Sequence, residues 1–392
     1  MRQAAKTPSF KDASDDLRNL AELTISPSHL QRLSERIGRE WAQARDADIA
    51  AFREGRLSAT RIQPARVATV MVDGGRYQAR EQTGTPGVSE PAWHEVKVAC
   101  CQTLAASVQA TDPQPEPPAK FLDPVQAARL AAEIKSRGRS ASARTAATAS
   151  APKPKRRRRR KRRGPRKLVR TVVASVANSE TFGWQVAAEV QRRGLDRAKS
   201  KGYICDGQKY NWAIFALHFL AWGFIPILDF LHLLGYLYAA AQAAEGKATT
   251  AAWTVYERWL RWAWSGQVKE LLRDLHAASQ KLGTPPPGAS DDDPRKVVAE
   301  ALGYVANNRT RMDYPRYRRL GLPISSAAVE STIKPINRRI KGTEKFWLEG
   351  GAEAVLQLRA AYLSEDDRAE SYWSRPRPYA RAAGRGRLRP AA

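Results

Sequence analysis

Three carboxylates stand where they could do chemistry together. Asp73 lies in VATVMVDGG (residues 67–75), Asp206 in KGYICDG (residues 201–207) and Glu330 in GLPISSAAVES (residues 321–331). Each aspartate closes an apolar, strand-like run and is followed by Gly. The glutamate sits in a helix-like stretch ahead of the basic Lys334, Arg338, Arg339 and Lys341. Carboxylate oxygens suit hard cations such as Mg2+ or Mn2+ better than imidazole or thiolate would. Two such ions, roughly 3.5–4 Å apart, can activate an attacking oxygen and neutralise the charge that builds on a phosphodiester. On a chain of net charge +27 this combination predicts metal-assisted chemistry on nucleic acid. Alternatives stay open at the residue level: Asp-Gly is a common turn pair, and Glu344, Glu349 and Asp313 compete with Glu330 as third ligand.

Composition narrows the setting. The 392 residues suffice for two or three domains, and 66 Lys and Arg against 39 Asp and Glu favour a polyanionic partner, with an anionic membrane as the other candidate and an Arg-rich compositional bias as a share of the surplus. Three cysteines (Cys100, Cys101, Cys205) form no disulfide framework, and no Cys/His cluster has zinc-ligand spacing. Cys100 and Cys101 are neighbours in a strand-like run, so their thiols should point to opposite faces. The apolar stretch 212–244 is divided by Pro226 and carries Asp229, His218 and His232, so it reads as a buried helix–strand–helix unit rather than a membrane span. A polar start without a signal peptide and a reducing cysteine pattern predict a cytoplasmic protein.

Around these residues the chain divides unevenly. Residues 1–60 read as a partial helical region with Ser26 or Ser28 as a helix cap. Residues 61–110 read as a three-stranded meander (67–72, 75–81 and 93–104) with Asp73 at the end of its first strand. Residues 111–167 read as a disordered Pro/Ala-rich and polybasic insert containing one helix near 124–136. Its run Lys155, Arg156, Arg157, Arg158, Arg159, Arg160, Lys161, Arg162 and Arg163 is dense enough to repel itself and would serve as a sequence-independent phosphate clamp. Residues 168–240 supply a helix, a strand ending at Asp206, a helix over 210–220, and a strand over 224–228 ending at Asp229. Residues 241–310 read as a helical insertion that includes one helix over 249–282, whose Trp253, Trp259, Trp262 and Trp264 are core. Residues 311–375 carry the Glu330 helix, and 376–392 form a basic tail.

Four blocks in order are similar to one family. VMVDGGRYQAR (70–80), CDGQKYNW (205–212), ILDFLHLLGYLY (227–238) and the stretch 314–347, with its Tyr-x-x-Tyr, GLPISS, Val-Glu-Ser and NRRIKGTEKFW, resemble the DDE transposases of bacterial insertion sequences, in particular the Kra-type group. The resemblance implies an α/β fold, a ribonuclease-H-like mixed sheet with a long all-helical insertion before the last catalytic helix. It implies metal-dependent cleavage of DNA and its joining to a target, with Asp73, Asp206 and Glu330 as ligands of two Mg2+ or Mn2+ ions. It makes Asp229 and His232 supporting or DNA-positioning residues. Transposon ends and target DNA are the implied partners, bound by a homodimer or larger assembly at the nucleoid, with no membrane involved. Arg338, Arg339 and Lys341 are expected to contact phosphate. The stretch ahead of Asp73 is shorter than that family usually carries, which points to a truncated copy. The competing readings are an inactive transposase-derived DNA-binding protein and a host nuclease on the same fold.

Overall fold

The computed structural model describes residues 2–60, 65–80, 92–138, 164–342 and 345–374, the side chains of 133–138 excepted. Its centre is a six-stranded sheet. The first strand, β1 (Val67–Ala79), pairs antiparallel with β2 (Ala92–Ala105) along its whole length. On the other side of β2 lies β3 (Arg166–Ser175), again antiparallel. On the other side of β1 lie β4 (Ser200–Cys205) and then β5 (Ile225–Leu228), both parallel to β1. The order is therefore β3-β2-β1-β4-β5, with β2 alone running against the rest. A two-residue strand, β6 (Phe346–Trp347), joins β1 at Gln78 and Ala79.

The expected meander needs correction. Val67 to Ala79 is one strand rather than two, so Asp73 lies in its middle. Gly74-Gly75 looks like a turn in the sequence, but a full ladder with β2 keeps it extended. Asp73 nevertheless marks an ending, because the ladder between β1 and β4 stops at Met71↔Ile204 and β6 joins only from Gln78. The third strand is β3, which draws in Arg166 and Lys167 from the end of the supposed polybasic insert. A run whose neighbours are so basic becomes a strand because β2 offers it a partner, a non-local cause.

Helices α1 (Arg2–Lys6), α2 (Phe10–Ala21) and α3 (Pro27–Arg53) precede the sheet. Ser26 caps α3 by accepting from the His29 amide at 3.2 Å, as its sequence position suggests. Next come α4 (Pro124–Gly138), α5 (Ser179–Arg192) and α6 (Lys209–Ile214), the last continuing as a π-helical turn, Phe215–Phe219. The helical block comprises α7 (Phe230–Glu245), α8 (Thr250–Ser265), α9 (Val268–Leu282) and α10 (Pro294–Asn308). It is followed by α11 (Tyr314–Arg319), α12 (Ala327–Ile340), α13 (Glu349–Leu363) and α14 (Arg368–Trp373). The single helix expected over 249–282 is two, because Gly266 adopts a left-handed φ of 75° that ends α8.

Two layers enclose the sheet. Cys100 meets Thr332 of α12, at 3.2 Å, while Cys101 feels the charge of Glu189 on α5. The adjacent thiols thus face opposite layers, as alternation requires. The outer edge of β3 is covered by the end of α13, where the Ser364 hydroxyl accepts from the Val172 amide at 3.0 Å and the Glu365 amide donates to Arg170 O at 2.8 Å. Trp259 and Trp264 are buried core, their ring nitrogens donating to Asp274 at 2.7 Å and Gln114 O at 2.9 Å, while Trp253 and Trp262 are half-buried against it.

The Pro-rich stretch after residue 111 is fixed rather than loose. Arg318 clamps Asp112 in a nearly buried ion pair, and Phe121 packs between Phe230 and Trp264. Residues 139–163, which hold the polybasic run, and 375–392, the basic tail, lie outside the described residues. No helix among the described residues is long and apolar enough to cross a membrane.

Candidate functional site at the ends of the parallel strands

Strand register brings the aspartates together. The β1–β4 ladder ends at Met71↔Ile204, and two further steps set Asp73 beside Asp206. The β4–β5 ladder ends at Cys205↔Leu228, with the Asp229 amide donating to Cys205 O at 2.9 Å, so the next step sets Asp206 beside Asp229. Three aspartates thus stand at one level across three adjacent parallel strands. Open α/β sheets place ligands outside such carboxyl ends.

Each is held differently. Asp73 is 8% exposed and accepts from the Gly74 amide at 2.7 Å. Asp206 accepts from the Gln208 amide at 3.2 Å and from the Asn211 side-chain amide at 3.0 Å. No Lys or Arg pairs with Asp206 among the described residues. Its backbone is pinned by Tyr304 of α10, whose hydroxyl donates to Asp206 O at 2.8 Å, so the helical block reaches back to fix the site. Gly207 must be glycine twice over: its φ is 93°, and a Cβ there would sit 2.9 Å from the Tyr304 ring.

Glu330 arrives from the opposite direction. Helix α12 crosses the sheet face so closely that a Cβ on Gly75 would lie 2.8 Å from Asn337 Oδ1. The start of α12 is tied to the β5–α7 junction. The Phe230 amide donates to Ile324 O at 2.9 Å, and the Ser326 amide and hydroxyl donate to Asp229 at 3.2 and 2.6 Å. Glu330 follows one turn later, half-buried, with its Oε1 3.2 Å from the Ser326 hydroxyl.

Asp229 and His232 form a buried pair, Nδ1 to Oδ2 at 2.5 Å. Burial disfavours the His232 cation, yet the hydrogen bond and charge of Asp229, reinforced by Asp206 and Asp73, raise its pKa to about 9. Burial likewise opposes ionisation of Asp229, but His232 and the donors around it hold the carboxyl below its usual range. Beyond Asp73, Tyr210 donates to Glu95 at 3.0 Å, and Lys97 pairs with the same carboxylate at 2.9 Å. Burial, together with Glu95, Asp206 and Asp73, pushes the Tyr210 phenol upward. This end of the sheet is strongly anionic on a strongly cationic chain.

The expected ligand set is brought together only partly. Asp73 and Asp206 share a level and Glu330 faces them from α12. Among the described residues, however, the one trio whose donor atoms all lie within 4.8 Å of one another is Asp229, His232 and Glu330. The donors suit a hard divalent cation: Asp73, Asp206 and Glu330 offer oxygen alone, and among the described residues Asp206 has no countercharge paired with it.

The basic residues expected at DNA divide. Arg338 is exposed. Lys341 stands over the Trp93 ring at 5.5 Å. Arg339 is a correction: it is 2% exposed, lies 3.8 Å over the Phe10 ring and donates to Pro8 O at 3.1 Å, so it anchors the N-terminal helices and cannot reach a phosphate. Ser326, Tyr304 and Asn211 went unseen in the sequence. Ser326 alone left a signal there, as a small polar residue just ahead of the Glu330 helix. No protein-family model matches the chain, and no curated protein resembles it significantly.

Proposed function

We propose that this chain is a DDE-type transposase, a polynucleotidyl transferase that cuts DNA at the ends of an insertion sequence and joins them to a target. The observation that carries this is the alignment of Asp73 and Asp206 just past the end of the ladder between β1 and β4, with Glu330 brought to the neighbouring Asp229 by a helix packed on the sheet. The sheet order, with only the second strand reversed, is the order of the ribonuclease-H-like fold, and the helical block between β5 and α12 sits where an insertion before the last catalytic helix would. Both features support the reading.

Asp73, Asp206 and Glu330 would hold two divalent ions, magnesium or manganese, which when bound supply an activated water or 3′-hydroxyl and neutralise charge on the scissile phosphate. The chain's own groups set the stage for that. Asn211 and the Gln208 amide fix the direction of Asp206. Tyr304 holds its backbone. The docking of residues 324–326 onto Asp229 sets the depth at which α12 presents Glu330. Exposed Arg338 and Lys334 on α12 can meet phosphates beside the site, positioning the duplex without reading its sequence.

The test is cleavage of labelled duplexes carrying the DNA that flanks its gene, where this reading expects terminal inverted repeats, with wild type beside Asp206→Asn. The expected result is Mg2+-dependent cutting by wild type and a loss of about a hundred- to a thousandfold in the variant, on the order of what removing a key electrostatic group costs, with DNA binding retained. Salt-sensitive binding by both proteins without cutting by either would leave a DNA-binding protein only. Cutting without joining, indifferent to the repeats, would leave a nuclease.

A further inference from the structure

We infer that Ser326 is a positioning residue for Glu330, holding that carboxylate toward the strand ends through a hydroxyl bridge to the buried Asp229. The inference rests on the proposed role of Glu330 as a metal ligand.

Ser326 occupies the N-cap position of α12, where a serine hydroxyl ordinarily accepts from an amide of the first helical turn. Here it makes no such bond. It points instead to Asp229 Oδ2 at 2.6 Å and Glu330 Oε1 at 3.2 Å, so its one proton serves two carboxylates. The spacing of four residues places it directly below Glu330 on the helix face.

Asp229 is held fast by donors on every side, the Ser326 hydroxyl among them. It is fully buried. Its Oδ1 accepts from the Leu231 and Ser326 amides at 3.0 and 3.2 Å, and its Oδ2 accepts from the Ser326 hydroxyl and from His232. An ionised carboxylate has about four acceptor directions, and four donors fill them. The proximity of Asp229, His232 and Glu330 is therefore explained by a hydrogen-bond network, and an ion placed there would have to displace it. The imidazole also offsets one of two carboxylate charges that would otherwise repel across the bridge. Asp229 and His232 thus form the rigid base, Ser326 the link and Glu330 the group directed.

Ser326→Ala removes the hydroxyl bridge but keeps the Ser326 amide bond to Asp229, so α12 stays docked and only the aim of Glu330 is lost. Outer partners of metal ligands are typically worth ~10–100-fold in metal affinity or activity. In the cleavage assay with the full chain, the variant should lose that factor in kcat, leave KM for DNA unchanged and need more Mg2+ for half-maximal rate. Ser326→Thr, which keeps the hydroxyl, should restore most of it. Wild-type kcat and Mg2+ dependence in Ser326→Ala would overturn the inference, as would a loss that threonine does not repair. If wild type does not cut, the proposed function fails by itself, and Mn2+ binding followed by electron paramagnetic resonance decides the rest. About tenfold weaker binding in Ser326→Ala at unchanged thermal stability would sustain the bridge, and equal binding, or none by wild type, would overturn it.

Discussion

Arg338 and Arg339 are adjacent in sequence and opposite in role. Both look like phosphate contacts in a basic stretch, yet the helix turns one outward and buries the other over Phe10. Burial, with Arg359 nearby, pulls the Arg339 pKa down to about 10, and its Nε and Nη2 have no hydrogen-bond partner among the described residues. Arg339→Ala should therefore destabilise the fold by ~2–4 kcal/mol through lost packing, read by urea unfolding, while leaving the salt dependence of DNA binding unchanged. Arg338→Ala should do the reverse, cutting the slope of log affinity against log salt by about one phosphate contact. A common effect of both on the slope would mean that Arg339 reaches solvent. Residue type does not separate them, because what covers Arg339 is Phe10 and Trp347, the first of them remote in sequence. Asp206 and Asp229 were legible for a plainer reason: each ends a short apolar run followed by a helix, and that pattern is local.

At the level of elements, legibility tracks locality. The starts of α7 and α10 follow local signals, since Asp229 and Asp293 cap them and Pro294 opens the second. β1 was split and β3 missed because their extended form depends on β2, which is remote in sequence. The π-helical turn Phe215–Phe219 is another non-local feature, and it buries His218 edge-on to Trp184 with ring centroids 4.6 Å apart. Its Nε2 has no hydrogen-bond partner among the described residues, and burial lowers the His218 pKa from 6.5 to about 4. The unfolded chain therefore binds this proton at a higher pH than the fold does. The stability from keeping His218 neutral is complete above pH 6.5 and is lost as pH falls toward 4. Urea unfolding at pH 7 and pH 4.5 should show a drop on the order of 2 kcal/mol from this group, and His218→Leu should remove that part of the drop. An unchanged acid dependence in the variant would mean the imidazole is solvated.

Across the whole molecule, a chain of net charge +27 carries a sheet end that gathers Asp73, Glu95, Asp206, Asp229 and Glu330. Such a contrast suits a protein that draws in a polyanion and holds cations where the polyanion must be cut. The N-terminal helices belong to this body. Arg339 holds Pro8 O, and Arg359 donates to the backbone of Ala5 and, at 2.7 Å, of Lys6. The sequence shows the acidic strand ends and the helical block, but not that Asp229 is saturated by donors while Asp206 keeps no cationic partner among the described residues. That difference decides which carboxylates are open to metal. Anomalous diffraction from crystals grown with Mn2+ would read it. Manganese between Asp73 and Asp206, with Glu330 turned toward it and the Asp229–His232 pair intact, is the expected result. Manganese seated on Asp229 and His232, with Asp73 and Asp206 bare, would contradict it.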